Sequence, residues 1–98
     1  MLFRSKNYDY WAITMRAMFA SQELWELVEG GFEEPTYEQE FNALTHAEKD
    51  LLKRNRKKDS KSLFYLYQVV YESIFPTIGA TNKSKDAWDT LQTSYQGM

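Results

Sequence analysis

The strongest hydrophobic pattern in the chain lies between Thr45 and Phe75, where a single long helix is predicted. Thr45 and Glu48 have the spacing of a capping box, in which each side chain bonds the backbone N–H of the other residue. Segment 63–71 is almost entirely apolar or aromatic, and such a run taken alone also fits a buried strand. The cap, and the absence of Gly or Pro before Pro76, favour a helix.

Two apolar stripes run along this predicted helix at helical spacing. The first consists of Leu52, Asp59, Leu63, Leu66, Val70 and Ile74. The second consists of Phe64, Tyr67, Tyr71 and Phe75. Because a helix that is apolar on two sides needs neighbours on both, we predict that it is the centre of the fold.

Shorter amphipathic segments flank the central helix. Asn7 is predicted to cap a first helix that runs to about Ala20, and Ser21 to cap a second over residues 22–29, which Gly30-Gly31 ends. Residues 32–44 are predicted to form an acidic loop with room for one helical turn at 37–42.

Residues 76–81 should interrupt the helical pattern, since Pro76 removes a backbone donor and Gly79 relaxes the chain. A last helix is predicted from residues 82–84 to Gly97. With 98 residues and no break in composition, the chain should form one domain over residues 1–98. The predicted fold is all-α, a compact bundle of four to five helices around the long central one.

The inward positions of these helices predict the hydrophobic core. Three tryptophans are among them, and although tryptophan can also stack on a ligand, their places on apolar stripes favour packing. The predicted core residues are Trp11, Met15, Leu24, Trp25, Val28, Leu63, Leu66, Val70, Trp88, Leu91 and Tyr95.

The net charge of -2 conceals a segregation of acids from bases. Residues 22–41 contain seven acids and no base, whereas residues 45–62 contain seven bases and three acids. This defines an acidic patch (Glu29, Glu33, Glu34) and a basic patch (Lys53, Arg54, Arg56, Lys57, Lys58). The two patches can neutralise each other within a monomer, remain solvated, or meet between copies. The basic patch is also a candidate for RNA phosphate contacts, although no aromatic residue is interleaved among its bases.

Catalytic chemistry finds little support in the sequence. There is no cysteine, and the single histidine, His46, lies beside a helix cap without a triad partner. Acidic pairs such as Glu33-Glu34 lie on a polar loop where nothing desolvates them, and Gly30-Gly31 is followed by acids that would repel phosphate. We therefore predict no enzyme, cofactor or metal site. Without a signal peptide or an apolar run of about 20 residues, no membrane association is predicted, and a cytoplasmic location is expected.

Several short motifs occur in a recognisable order: Phe3, Asn7-Tyr8-x-x-Trp11-x-x-x-Met15, Leu24-Trp25-x-x-Val28-Glu29, Lys57-x-Asp59 and Ala87-Trp88-Asp89-x-Leu91-x-x-x-Tyr95-x-Gly97. Together they resemble the Gag polypeptide of copia-type LTR retrotransposons. Two departures are Ser5, where that family often has Gly, and a longer acidic loop over residues 31–40.

The resemblance implies a domain similar to the N-terminal lobe of a retroviral capsid, whose copies assemble into a shell around the element's RNA. It also implies that the second capsid lobe and the zinc knuckle of that family lie outside this chain, and that the knuckle makes most RNA contacts. The isolated domain is then expected to be a monomer or a weak oligomer. A second interpretation is a host-adopted interaction module that binds a protein or peptide in a groove between its helices.

Overall fold

Six helices make up the computed structural model, which describes residues 7–70 and 72–96. They are α1 (Tyr8–Ser21), α2 (Trp25–Gly30), α3 (Glu38–Ala43), α4 (His46–Gln68), α5 (Phe75–Ile78) and α6 (Ser84–Tyr95). No strand occurs in the described ranges, so the prediction of an all-α bundle around a long central helix is confirmed. The predictions for Phe3, Ser5, Tyr71 and Gly97 fall outside the described residues.

The turn between α1 and α2 begins later than the sequence predicted. Ser21 is the last residue of α1, and its hydroxyl donates to the Met18 carbonyl instead of capping the next helix. Glu23 adopts a φ of 60°, while the Leu24 N–H donates to the Phe19 carbonyl at 2.7 Å. This pair of features is a Schellman motif, which closes α1 and consumes residues 22–24. The second helix therefore starts at Trp25, and the prediction of residue 22 was wrong.

The start of α4 follows the sequence prediction closely. The Glu48 N–H donates to the Thr45 hydroxyl at 3.1 Å, and the Thr45 N–H donates to the Glu48 carboxylate at 2.9 Å. These reciprocal bonds satisfy two of the backbone donors that a helix N-terminus leaves unpaired. The predicted capping box is confirmed.

The end of α4 differs from the prediction, because the helix stops at Gln68 and not near Phe75. Val69 has a φ of -108° and a ψ of 7°, which are not helical values. The break redirects the chain, so that Val70, Ile74 and Ile78 all reach the same core. Pro76 lies in the first turn of α5, where its missing N–H costs no helical bond. The interruption therefore precedes Pro76.

The core forms where α1, α2, α6 and the C-terminal half of α4 meet. Trp88 of α6 stacks on Trp11 at 5.3 Å between ring centroids and meets the edges of Phe19 and Trp25. The predicted core residues are buried, except that Trp25, Leu63 and Tyr95 are half-buried and pack against the buried cluster. Helix α6 packs on α4, and Trp88 belongs to the same buried cluster as Leu66 and Val70 of the central segment. Its aromatic ring contacts are with α1 and α2.

The second apolar stripe of α4 is only partly covered, contrary to the prediction. Phe64 is 57% exposed. Tyr67 packs on Phe75 at 5.0 Å and donates its hydroxyl proton to the Thr81 carbonyl. Tyr67 is thus covered, whereas Phe64 remains largely exposed.

A buried carboxylate fastens α4 to α6. Asp59 is 4% exposed, and its Oδ1 accepts hydrogen bonds from the Ser84 N–H at 3.0 Å and the Ser84 hydroxyl at 2.6 Å. Asp59 thereby caps α6 from a different helix, because Lys83, the residue before α6, contributes no side-chain cap. This explains why an acid lies on an apolar stripe.

Candidate functional surfaces

An ion-pair cluster draws the acidic loop onto α4. Glu34 accepts from Arg56 through Nε and Nη2, with a shortest distance of 2.7 Å, and from Lys83 Nζ at 2.6 Å. The Lys83 ammonium also lies 4.4 Å from the centre of the Phe32 ring. These contacts join the loop, the middle of α4 and the start of α6. At this point the predicted acidic and basic patches meet within one molecule.

The hydrogen bonds of this cluster favour the ionised form of Glu34. The hydrogen bonds from Arg56 have the largest effect. Together with the bond from Lys83, they lower the pKa of the Glu34 carboxyl below its ordinary value of 4.5. In the range below 4.5 the unfolded chain therefore binds more protons than the folded one at this group. The contribution of Glu34 to stability is complete above that range and is lost as the pH falls through the folded pKa.

Beside this cluster the loop and the N-terminal half of α4 enclose an open acidic groove of about 360 Å³. Leu51, which is 51% exposed, lies in it. Its lining comprises Glu33, Glu34, Pro35, Glu40, Leu44, Glu48, Leu51, Leu52 and Asn55. Backbone N–H groups hold two of the acids, since Thr36 donates to Glu40 and Thr45 donates to Glu48. The groove thus combines an apolar surface with carboxylates.

The opposite side of α4 carries what we term the cationic face, formed by Lys53, Arg54, Lys57 and Lys61. An α-helix turns about 100° per residue, which places Lys57 about 180° from Glu48 of the groove. All four cationic side chains are exposed, and none makes an ion pair with another described residue. Asp50 lies on the same side of α4, and its Oδ2 is 3.4 Å from Nε2 of His46. The middle of α4 therefore separates surfaces of opposite charge.

Other sequence-predicted residues lie apart from these two surfaces. Glu29 is exposed on α2, and Lys58 lies near Glu23, Glu26 and Trp25. His46 is 92% exposed at the first position of α4, with no nucleophile beside it. No group of His, Cys, Asp and Glu suited to holding a metal ion occurs among the described residues.

A third surface, the outer face of α1, was missed by the sequence analysis. Tyr10 and Ile13 are each 66% exposed, and Ala17 and Ala20 continue the same face at steps of three and four. Arg16 lies between Ile13 and Ala17 in the chain, and its guanidinium lies over the Trp25 ring, 5.1 Å from the ring centre. The sequence does show these apolar residues at helical spacing, on a different side of α1 from the inward stripe of Tyr8, Trp11 and Met15.

Phe64 was also assigned to the wrong surface. It follows Lys57 and Lys61 at steps of seven and three residues, so it lies at the end of the cationic face and is exposed there. No aromatic residue is interleaved among the bases in the sequence, but helical spacing places Phe64 on the same side of α4 as Lys57 and Lys61.

The comparison with known families decides the identity of this helical domain. The family described as gag-polypeptide of LTR copia-type matches residues 15–98. The chain belongs to the copia-type Gag family. No curated protein and no solved structure matches it significantly. The Gag match includes the motifs around Trp25, Asp59 and Trp88, whereas the Asn7-Tyr8-x-x-Trp11 motif precedes it.

Within this Gag domain, the motif residues serve the fold. Trp11, Trp25 and Trp88 form one aromatic cluster, and Asp59 caps α6. None of the helices in the described part of the chain is long and apolar enough to cross a membrane.

Replacement of Glu34 tests the ion-pair cluster of the Gag domain. Glu34→Gln should lower the free energy of unfolding by about 1 kcal/mol at neutral pH, because a bidentate pair with a second cation exceeds an ordinary surface pair. The difference from the parent should shrink as the pH falls below 4.5, since the parent then also loses the charge. Urea denaturation across pH 3 to 7 measures this. The matched control is Glu33→Gln, and an equal loss in both variants would refute the assignment.

Proposed function

We propose that this chain is a structural Gag domain whose copies associate with one another in a shell that encloses RNA. Membership of the Gag family supports a structural, non-catalytic role. The side chains agree with this role, since His46 is exposed and the acids that show a bonding partner are engaged in caps and ion pairs. The enclosure of RNA rests on the family and not on a surface of this chain.

The observation that carries self-association is the outer face of α1, where exposed apolar residues follow one another at helical spacing. Tyr10 and Ile13 are large and exposed, and Ala17 and Ala20 are small enough to let another helix approach closely. Helix α1 is also anchored rigidly, because Trp11, Met15 and Phe19 on its other side are buried. An exposed apolar face on a fixed element is typical of a protein contact.

Substitution at this face tests the proposal. Tyr10→Ser combined with Ile13→Ser should leave the melting temperature nearly unchanged, because both side chains are already mostly exposed. Self-association at high protein concentration, measured by sedimentation velocity, should weaken by about tenfold, equivalent to about 1.4 kcal/mol. Asp9→Ser, at the edge of the same helix, is the control. Unchanged association in the double variant would exclude this face.

The second candidate function is an interaction module that binds a protein or peptide. The acidic groove is the observation that favours it, because exposed leucine and carboxylates suit a segment that carries both apolar and basic side chains. The two functions differ in stoichiometry. A module binds one foreign partner and remains monomeric without it, whereas a shell protein associates with its own copies.

A further inference from the structure

We propose that the acidic groove of one copy receives the cationic face of the next, so that copies of this chain join head to tail. The inference rests on the proposed self-association and identifies a contact for it. The groove offers Glu33, Glu40 and Glu48 around Leu51, and the cationic face offers Lys53, Arg54, Lys57 and Lys61. None of these side chains makes an ion pair with another described residue, since the internal ion-pair cluster uses Glu34, Arg56 and Lys83.

The chemistry of the groove suits long cationic side chains. The methylene stems of Lys and Arg can cover the exposed part of Leu51 while their charged ends reach carboxylates at the rim. Glu40 and Glu48 are held by the backbone N–H groups of Thr36 and Thr45, so little of their freedom remains to be lost on binding. Glu33 is exposed and makes no ion pair with another described residue.

The placement of the two surfaces determines the symmetry of the contact. A two-fold dimer requires both complementary surfaces on the same side of the molecule, because each partner presents the same area to the other. Here they lie on opposite sides of α4, about half a helical turn apart. Each contact therefore leaves one groove and one cationic face open, and a ring or an open chain results.

The shape of the domain leaves both sides of this part of α4 accessible. The molecule extends 46 Å along its long axis and only 26 and 20 Å along the others. In the N-terminal half of α4, Leu52 is the buried apolar residue, and it does not belong to the main core cluster. On the groove side, the acidic loop and α3 lie against this half of the helix. A neighbouring copy can thus approach from the cationic side.

Two blocked variants test the head-to-tail contact. Lys53→Glu with Lys57→Glu removes the cationic face and keeps the groove. Glu33→Lys with Leu51→Arg blocks the groove and keeps the cationic face. All four positions are exposed, so both variants should fold, as circular dichroism will show. The control is Ser73→Glu with Ala80→Glu. These exposed residues flank α5, so the change adds negative charge outside the groove and the cationic face.

A head-to-tail contact predicts different association for the parent, for each blocked variant and for their mixture. In sedimentation velocity at low salt, the parent and the control should grow in mass with concentration, and each blocked variant alone should associate at least about tenfold more weakly. An equimolar mixture of the two blocked variants should associate more strongly than either variant alone, since the intact groove of one can receive the intact cationic face of the other. Raising the salt should weaken the parent, because screening acts within roughly 8 to 10 Å.

Other outcomes would overturn the inference in distinguishable ways. Association that persists in both blocked variants would place the contact elsewhere, with self-association still standing. If the parent remains monomeric at every concentration but binds a basic synthetic peptide in its groove, the head-to-tail contact is refuted and the interaction module is favoured. A third outcome is that the cationic variant still associates like the parent but no longer binds a labelled poly(U) strand, as measured by fluorescence anisotropy. The cationic face, with the exposed Phe64 at its end, would then be an RNA surface, and the copy contact would be refuted.

Discussion

Replacing Trp88 with alanine should lower the free energy of unfolding by about 3 to 5 kcal/mol. Trp88 is almost fully buried, stacks on Trp11 and meets the edges of Phe19 and Trp25. Its removal would therefore leave a cavity where three helices meet, and the aromatic contacts would be lost in addition. For a domain of this size such a loss is a large part of the total stability.

Chemical denaturation of Trp88→Ala and of the parent measures this loss. Phe64→Ala is the matched control, because it also removes an aromatic ring but from an exposed site, and it should change stability by less than about 0.5 kcal/mol. Trp88→Phe should lie between the two. If Trp88→Ala melts within a few degrees of the parent, the aromatic cluster does not hold these helices together, and a ligand-binding role for the tryptophans would need consideration.

Replacing Asp59 with alanine should cost about 2 to 4 kcal/mol, the second largest effect we expect. The carboxylate accepts two bonds from Ser84 in a buried environment, and its removal leaves the Ser84 N–H and hydroxyl without these bonds. It also removes a negative charge from the N-terminal end of α6. The cost arises mainly because buried polar groups that lose their partners cannot turn to water instead.

A double-mutant cycle separates this link from a simple loss of charge. Ser84→Ala alone should cost less than Asp59→Ala, and the two changes together should cost less than their sum, by about 1 kcal/mol or more. Asp86→Ala, in the exposed first turn of the same helix, is the control for the helix dipole. Strictly additive effects of Asp59→Ala and Ser84→Ala would show that the contact between them is not what stabilises the junction of α4 and α6.

Local sequence patterns were sufficient for the class of fold and for most of the core. The capping box of α4 was predictable because its two partners are three residues apart and both bonds are local. The buried positions of Trp11, Leu66 and Leu91 followed from helical spacing, since apolar residues that recur every three or four positions give a helix one face to pack on its neighbours. Family membership followed from the order of short motifs.

Helix ends were less predictable where they depend on tertiary contacts or on unusual backbone conformations. From the sequence, α4 is predicted to continue to Phe75, because residues 69–75 contain no Gly or Pro. The chain turns at Val69 because this lets Val70 and Ile74 join the core beneath α6, a gain that local propensity does not contain. Glu23 closes α1 with a positive φ that is rare for residues other than Gly, so the sequence carried no signal of it.

The arrangement of charge was decided by tertiary structure alone. The sequence showed that acids and bases are segregated, but it left open whether they meet within one molecule. The fold brings Glu34 to Arg56 and Lys83, which are 22 and 49 residues away along the chain, and it places the acids of the groove and the cationic face on opposite sides of α4. Such distances depend on how the loop packs on the helix, and long-range packing has no local signature. Composition therefore determined that this protein has charged surfaces, and only the fold decided which charges neutralise each other and which remain available to another copy.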